Sequence, residues 1–252
     1  MVELVETTAH RNATTVLTMP DPVPDLVRLV RERIASAADP DRAEPMRAYM
    51  KSAMPYRGVT SAPLRGICKA TYDEHRLPDR DAWESAVRDL WDGATYREER
   101  YAAMALTRHR YYRAFQDPAT LGLYRHLVVS GAWWDLVDSL ASHNIGDLLV
   151  AHPAALTPVL RDWAVDDDLW LRRTALICQL HRKDQVDVDL LRHTLEANLE
   201  DSRHGREFFV RKAVGWALRQ HARADPDWVR AFVAEHEDRL SGLSRREALK
   251  HL

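Results

Sequence analysis

Arg211-Lys212-Ala213-Val214-Gly215 has two echoes earlier in the chain, Arg172-Arg173-Thr174-Ala175-Leu176 and Glu99-Arg100-Tyr101-Ala102-Ala103. Each puts one or more basic residues just before small and apolar ones. Arg172 and Arg211 are about 40 residues apart and Arg100 and Arg172 roughly twice that, the spacing expected of stacked helix pairs. Three unrelated amphipathic helices would look alike over so short a stretch, so the surrounding sequence has to support the reading.

It does so in both directions. From Asp25 to Leu252, apolar residues recur at helical spacing, as in Leu26, Leu29, Val30 and Ile34. The segments are separated by Pro, Gly or Asp, and about a dozen helices of two to four turns fit. Pro78-Asp79 precedes a helix around Trp83–Trp91 and Asp117-Pro118 one around Leu121–Val129, while His152-Pro153 follows Leu148–Val150 and Asp225-Pro226 opens a late helix. With 46% hydrophobic residues, 29% charged residues and only 9 Gly, the composition suits helices with few tight turns, and no strands are expected. The expectation is an all-α chain with one elongated repeat domain over residues 25–252. Residues 1–24, rich in Thr and Pro and containing the turn-like Met19-Pro20-Asp21-Pro22, read as a flexible extension.

Several function classes drop out. No apolar run approaches the ~20 residues needed to span a bilayer, and the N-terminus lacks the basic region and apolar core of a secretory signal. A cytoplasmic protein without membrane partners is expected, monomeric by default. Cys68 and Cys178 are far apart and form no C-x-x-C pair, and the 12 His include no H-E-x-x-H, so neither a metal nor another cofactor is expected. The formal net charge of −2 gives no global attraction to nucleic acid. If DNA is the partner, basic residues must be segregated onto one face.

The stretch Ala132-Trp133-Trp134-Asp135-Leu136-Val137-Asp138 carries the strongest chemical signal. On a helix, Trp134 and Asp138 are neighbours at i,i+4, with Trp133, Val137 and Leu140 on an adjacent apolar stripe. The pair by itself also fits a core role, with both tryptophans packed inside and Asp138 an ordinary surface carboxylate. The basic residues Arg172, Arg173, Arg211 and Lys212 can likewise be read as solvated helix faces or, as a recurring series, as a track for a phosphate backbone.

Taken together, Ala43–Lys51, Trp133–Asp138, Leu169–Arg173, Phe208–Arg219 and Leu243–His251 resemble, in order, the motifs of AlkD-type DNA glycosylases, from about Asp25 to the C-terminus. The resemblance implies a right-handed α-α superhelix of HEAT-like repeats that holds double-stranded DNA along a concave face. It implies that Asp138 is the cleft carboxylate, that Trp134, Trp216 and Tyr49 line the lesion cleft, and that Arg173 anchors a phosphate, with Arg172, Arg211 and Lys212 as further backbone contacts. The implied activity is excision of cationic alkylated purines, such as N3-alkyladenine and N7-alkylguanine, in base excision repair. Such a base leaves neutral, so one carboxylate suffices where ordinary glycoside hydrolysis uses two. A non-catalytic helical-repeat scaffold that binds DNA or protein is the alternative reading.

Overall fold

The computed structural model describes residues 22–252, and all of its regular elements are helical. The extension expected over residues 1–24 lies outside the described residues except at its end. There α1 begins at Pro22, three residues ahead of the expected boundary, and already buries Val23.

In chain order, α1 (Pro22–Ser36), α2 (Pro40–Met50), α3 (Ser61–Glu74), α4 (Arg80–Asp92) and α5 (Arg97–Thr107) are followed by a 3-10 segment, Arg110–Phe115. Next come α6 (Leu121–Gly131), α7 (Trp134–Ser139), a π-helical turn over Leu140–Ile145, α8 (Gly146–Ala151) and α9 (Pro153–Trp163). The chain then forms α10 (Leu169–Ile177), α11 (Val188–Glu196), α12 (Phe208–His221), α13 (Pro226–Glu235) and α14 (Gly242–Ala248). Local chemistry explains the boundaries. The side chains of Asp79, Asp168, Asp187 and Asp225 each accept a hydrogen bond from a first-turn amide of the following helix, a cap worth about 1 kcal/mol. Pro40, Pro153 and Pro226 occupy the opening position, where a missing N–H costs nothing.

The C-terminal half is built in two layers. In one, α7, α10, α12 and α14 touch in succession; behind them, α9 packs on α10 and α11, and α13 on α12 and α14. This is a HEAT-like arrangement of stacked helix pairs. The three echoing segments fall inside α5, α10 and α12. Gly215 lets α12 and α14 approach closely: a Cβ there would meet the Glu247 Cβ at 2.6 Å and the Ser244 carbonyl at 3.0 Å.

The N-terminal half packs α1 against α3, α4 and α5 around fully buried Trp83, Trp91 and Tyr72. Glu98, buried at the start of α5, accepts hydrogen bonds from the amides of Arg57, Gly58 and Val59 at 2.9–3.1 Å. That anchors the segment leading from α2 into α3. Gly58 is required in it, since its φ is +83° and a Cβ would fall 2.0 Å from the Asp39 carbonyl oxygen.

Candidate active site

The Trp-Trp segment does not form one helical turn. Ala132 adopts a left-handed conformation (φ 40°) that ends α6, Trp133 is extended, and α7 begins only at Trp134. Trp133 therefore leaves the stripe expected for it beside Val137 and Leu140. Its indole donates to the Met50 carbonyl at 2.8 Å, and its ring packs on Phe209 and Trp170 at centroid distances of 5.4 and 6.2 Å. Val137 and Leu140 go into the core. Trp134 and Asp138, four residues apart on α7, line the same cleft. The wide π-helical turn follows immediately, a local irregularity common beside functional sites.

Asp138 is held by a two-pronged contact from Arg173 of α10, Nε to Oδ1 and Nη2 to Oδ2, both at 2.7 Å. Only 4% of the arginine side chain and 17% of the aspartate side chain is exposed, so the carboxylate meets solvent and the guanidinium does not. Arg173 also donates through Nη1 to the Phe209 carbonyl. Burial pushes the Asp138 carboxyl above the ordinary carboxylate range; the Arg173 contact opposes that, and the negative charge of Asp135 adds to it.

Around this carboxylate the cleft has a volume of about 410 Å³, within the range of small-ligand sites. Trp216 and Lys212 of α12 line it with Trp134. The Arg173 and Arg219 guanidinium carbons lie 5.9 and 6.0 Å from the Trp216 ring centroid. Glu247 of α14 faces the same space, paired with Arg219 at 2.7 Å and Lys212 at 3.4 Å. Lys250 and exposed Phe208 complete the rim. Four basic side chains against two carboxylates leave this cleft positive, although the chain as a whole is slightly acidic.

Of the residues expected to act together, Trp134, Asp138, Arg173, Lys212 and Trp216 converge here. Arg172 does not join them. It is 5% exposed and its donors reach the carbonyls of Val165, Asp166 and Ala197 and the side chain of Asn198, so it ties α10 to its neighbours in place of meeting a phosphate. Arg211 is half-buried on α12 and outside the cleft lining, with an Nε that has no hydrogen-bond partner. Tyr49 is 79% exposed and borders a separate cavity, although the next residue, Met50, is the one that receives the Trp133 indole. Sequence reading missed Arg219, Glu247 and Lys250 as cleft residues. Lys212, Trp216 and Arg219 at i, i+4 and i+7 share one face of α12, which the spacing alone could have shown.

The fold and the cleft define a helical-repeat protein that presents a cationic, aromatic surface around two carboxylates, Asp138 and Glu247, each held by basic side chains, an arrangement fitted to an anionic polymer. The chain belongs to the DNA alkylation repair enzyme family, whose sequence model matches residues 30–252. Membership gives it a role in the repair of alkylated DNA, with DNA as its partner. It is also similar to a solved structure described as "Predicted DNA alkylation repair enzyme from Enterococcus faecalis", with a TM-score of 0.71 and 29% sequence identity over 85% of this chain and 96% of that one. A search of curated proteins found no match. No helix among the described residues is long and apolar enough to cross a membrane.

Proposed function

We propose that the protein is a DNA glycosylase that hydrolyses the N-glycosidic bond of cationic alkylated purines in duplex DNA. The observation that carries this reading is the partly exposed Asp138 carboxylate, fixed by Arg173 in a cleft that Trp134 and Trp216 also line.

In an N3-alkyladenine or N7-alkylguanine nucleotide the base already bears a positive charge. When the C1′–N bond breaks, the bonding electrons neutralise the base, and positive charge builds up on the deoxyribose ring. Asp138 faces that charge and stabilises it electrostatically. Water then attacks C1′ and gives up its proton, which Asp138 accepts or passes to solvent. No acid is needed to protonate the leaving group. Two indole faces hold a cationic nucleotide at about 0.5–2 kcal/mol each. Lys212, Arg219 and Lys250 supply charge for the flanking phosphates; Arg173, expected as a phosphate anchor, is buried with its donors on Asp138 and the Phe209 carbonyl and instead keeps the carboxylate in place.

Among the described residues the cleft is a bay lined by four helices, α7, α10, α12 and α14, which favours a lesion read without full extrusion into a snug pocket. Selection then rests on charge and on the weakness of the glycosidic bond, and neutral lesions are poor substrates. The test is to incubate the protein with methylated duplex DNA and chromatograph the released bases for the wild type and for Asp138→Asn. Release of N7-methylguanine or N3-methyladenine by the wild type and its loss in the variant support the reading. DNA binding with no base release by the wild type would instead identify a helical-repeat scaffold.

A further inference from the structure

A second carboxylate lies one turn before Asp138. Asp135 is 6% exposed in its side chain and receives a two-pronged contact from Arg97 of α5, itself 5% exposed, through Nε at 3.1 Å and through Nη2. The Tyr101 hydroxyl donates to Asp135 Oδ2 at 2.5 Å, and the Tyr56 hydroxyl is 2.9 Å from that of Tyr101. The six-residue helix α7 is thus gripped on two sides, by α5 at Asp135 and by α10 at Asp138, with Trp133 bonded to Met50 at its entry. α7 runs without a break through the π-helical turn into α8. These contacts fix where the first turn of that longer helix sits.

We propose that Asp135 and Arg97 are a positioning pair for Asp138: they hold α7 in register and set the electrostatic field in which the cleft carboxylate ionises. This rests on the reading of Asp138 as the carboxylate of the glycosylase. The other charged groups facing Asp138 are Arg173 of α10, Lys212 and Arg219 of α12, and Glu247 and Lys250 of α14. On the α6 side, Arg125 and His126 pair with Asp166 and Asp92. On the α5 side, Arg100 donates to the Ser130 carbonyl. No histidine is among the residues lining the cleft. Asp135 is thus the buried charge nearest along α7, and Arg97 is its counter-ion. Breaking the pair from opposite ends should move Asp138 in opposite directions.

Asp135→Asn removes a negative charge and leaves the Arg97 cation behind, so Asp138 should lose its proton at a pH lower by about one unit. Arg97→Gln leaves Asp135 negative with no cation beside it, so Asp138 should lose its proton at higher pH. Tyr101→Phe removes one donor to Asp135 without changing any charge, and should produce a smaller shift in the same direction as Arg97→Gln.

The experiment is a carboxyl-carbon NMR titration of the full chain with ¹³C-labelled aspartate, assigned with Asp138→Asn. It is run beside the pH profile of single-turnover release from N7-methylguanine duplex DNA. Opposite displacement of the Asp138 midpoint in Asp135→Asn and Arg97→Gln, matched by the acidic limb of the profile, supports the pair. A purely structural role would lower the rate or the melting temperature in both variants and leave the midpoint in place, and that result overturns the proposal. If one variant fails to fold, the other and Tyr101→Phe still decide the sign. Displaced midpoints with no base release by the wild type would keep the coupling and discard the glycosylase reading, whereas release with fixed midpoints would do the reverse.

Discussion

Two cavities of similar size have opposite chemistry. The cleft of about 410 Å³ gathers Asp138, Glu247, Arg173, Lys212, Arg219 and Lys250 with two indoles. The other, about 340 Å³, is walled by Met46, Met50, Tyr56, Leu64, Cys68 and Tyr101 and has one basic residue, Arg65, among its lining. Burial raises the Cys68 thiol there to about 11, so it stays neutral. An apolar wall cannot discriminate a charged base from a neutral one, whereas an anchored carboxylate can. Cavity volume alone would not have separated the two; charge and its anchoring do. A hydrogen bond links them: Tyr101, a wall of the apolar cavity, donates to Asp135, one turn from Asp138.

The largest expected effect comes from removing the charge that distinguishes the cleft. Asp138→Asn should lower single-turnover base release by about 100- to 1,000-fold, the loss usual for an electrostatic stabiliser, with little change in affinity for undamaged duplex DNA. If the variant keeps more than a tenth of the activity, the carboxylate is not the stabilising group. The wild type carries a related signature. The reaction needs Asp138 ionised, and burial raises its pKa, so activity should fall on acidification at a pH above the ~4 of a free aspartate. A pH–rate profile flat down to that value would contradict the assignment.

The two adjacent arginines of α10 sharpen the comparison next. Arg172→Ala leaves several buried carbonyls without donors and should cost about 2–4 kcal/mol of stability, read as a fall in melting temperature. The folded fraction should retain its base-release rate, since Arg172 does not reach the cleft. Arg173→Ala should instead reduce activity beyond its effect on melting, because the freed carboxylate loses its orientation.

The arginine pair also shows what could be read in advance. Helix starts were legible because an aspartate cap and an N-terminal proline act within three or four residues. The i,i+4 pairing of Trp134 and Asp138 survived because both lie inside α7. Trp133 was misplaced because a left-handed residue at Ala132 breaks the helix one position earlier, and alanine gives no sequence signal for that conformation. Arg172 and Arg173 are equivalent by type and adjacent in the chain. The 100° step between successive helix positions sends one guanidinium into the packing between helices and the other to the cleft, and only the neighbouring helices decide which is which. Asp135 and Glu247 were hidden for a similar reason: their partners Arg97, Arg219 and Lys212 lie 28–38 residues away.

A smaller effect is expected at the aromatic wall. Trp216→Ala should cost about 0.5–2 kcal/mol in release of a cationic base, roughly 2- to 30-fold, and almost nothing for binding undamaged duplex. Because the Trp216 ring already faces the Arg173 and Arg219 guanidiniums, the conservative Trp216→Phe should recover part of the loss by keeping a ring face in the same place.

Tyr49 gives the finest test of where the cleft ends. Its ring is exposed, it borders the apolar cavity, and its link to α7 runs through the backbone of Met50 rather than through its own side chain. If the working surface is the charged cleft alone, Tyr49→Ala should leave release of a small methyl adduct within about twofold of the wild type, since an exposed side chain contributes little to packing. The Trp133–Met50 contact should persist, because it uses a carbonyl that the substitution keeps. A loss as large as that of Trp216→Ala would show that bound DNA brings Tyr49 to the lesion and that the two cavities serve one substrate. Measuring both variants on the same methylated duplex separates these outcomes, since the comparison between the cavities then rests on a ratio of rates and not on either rate alone.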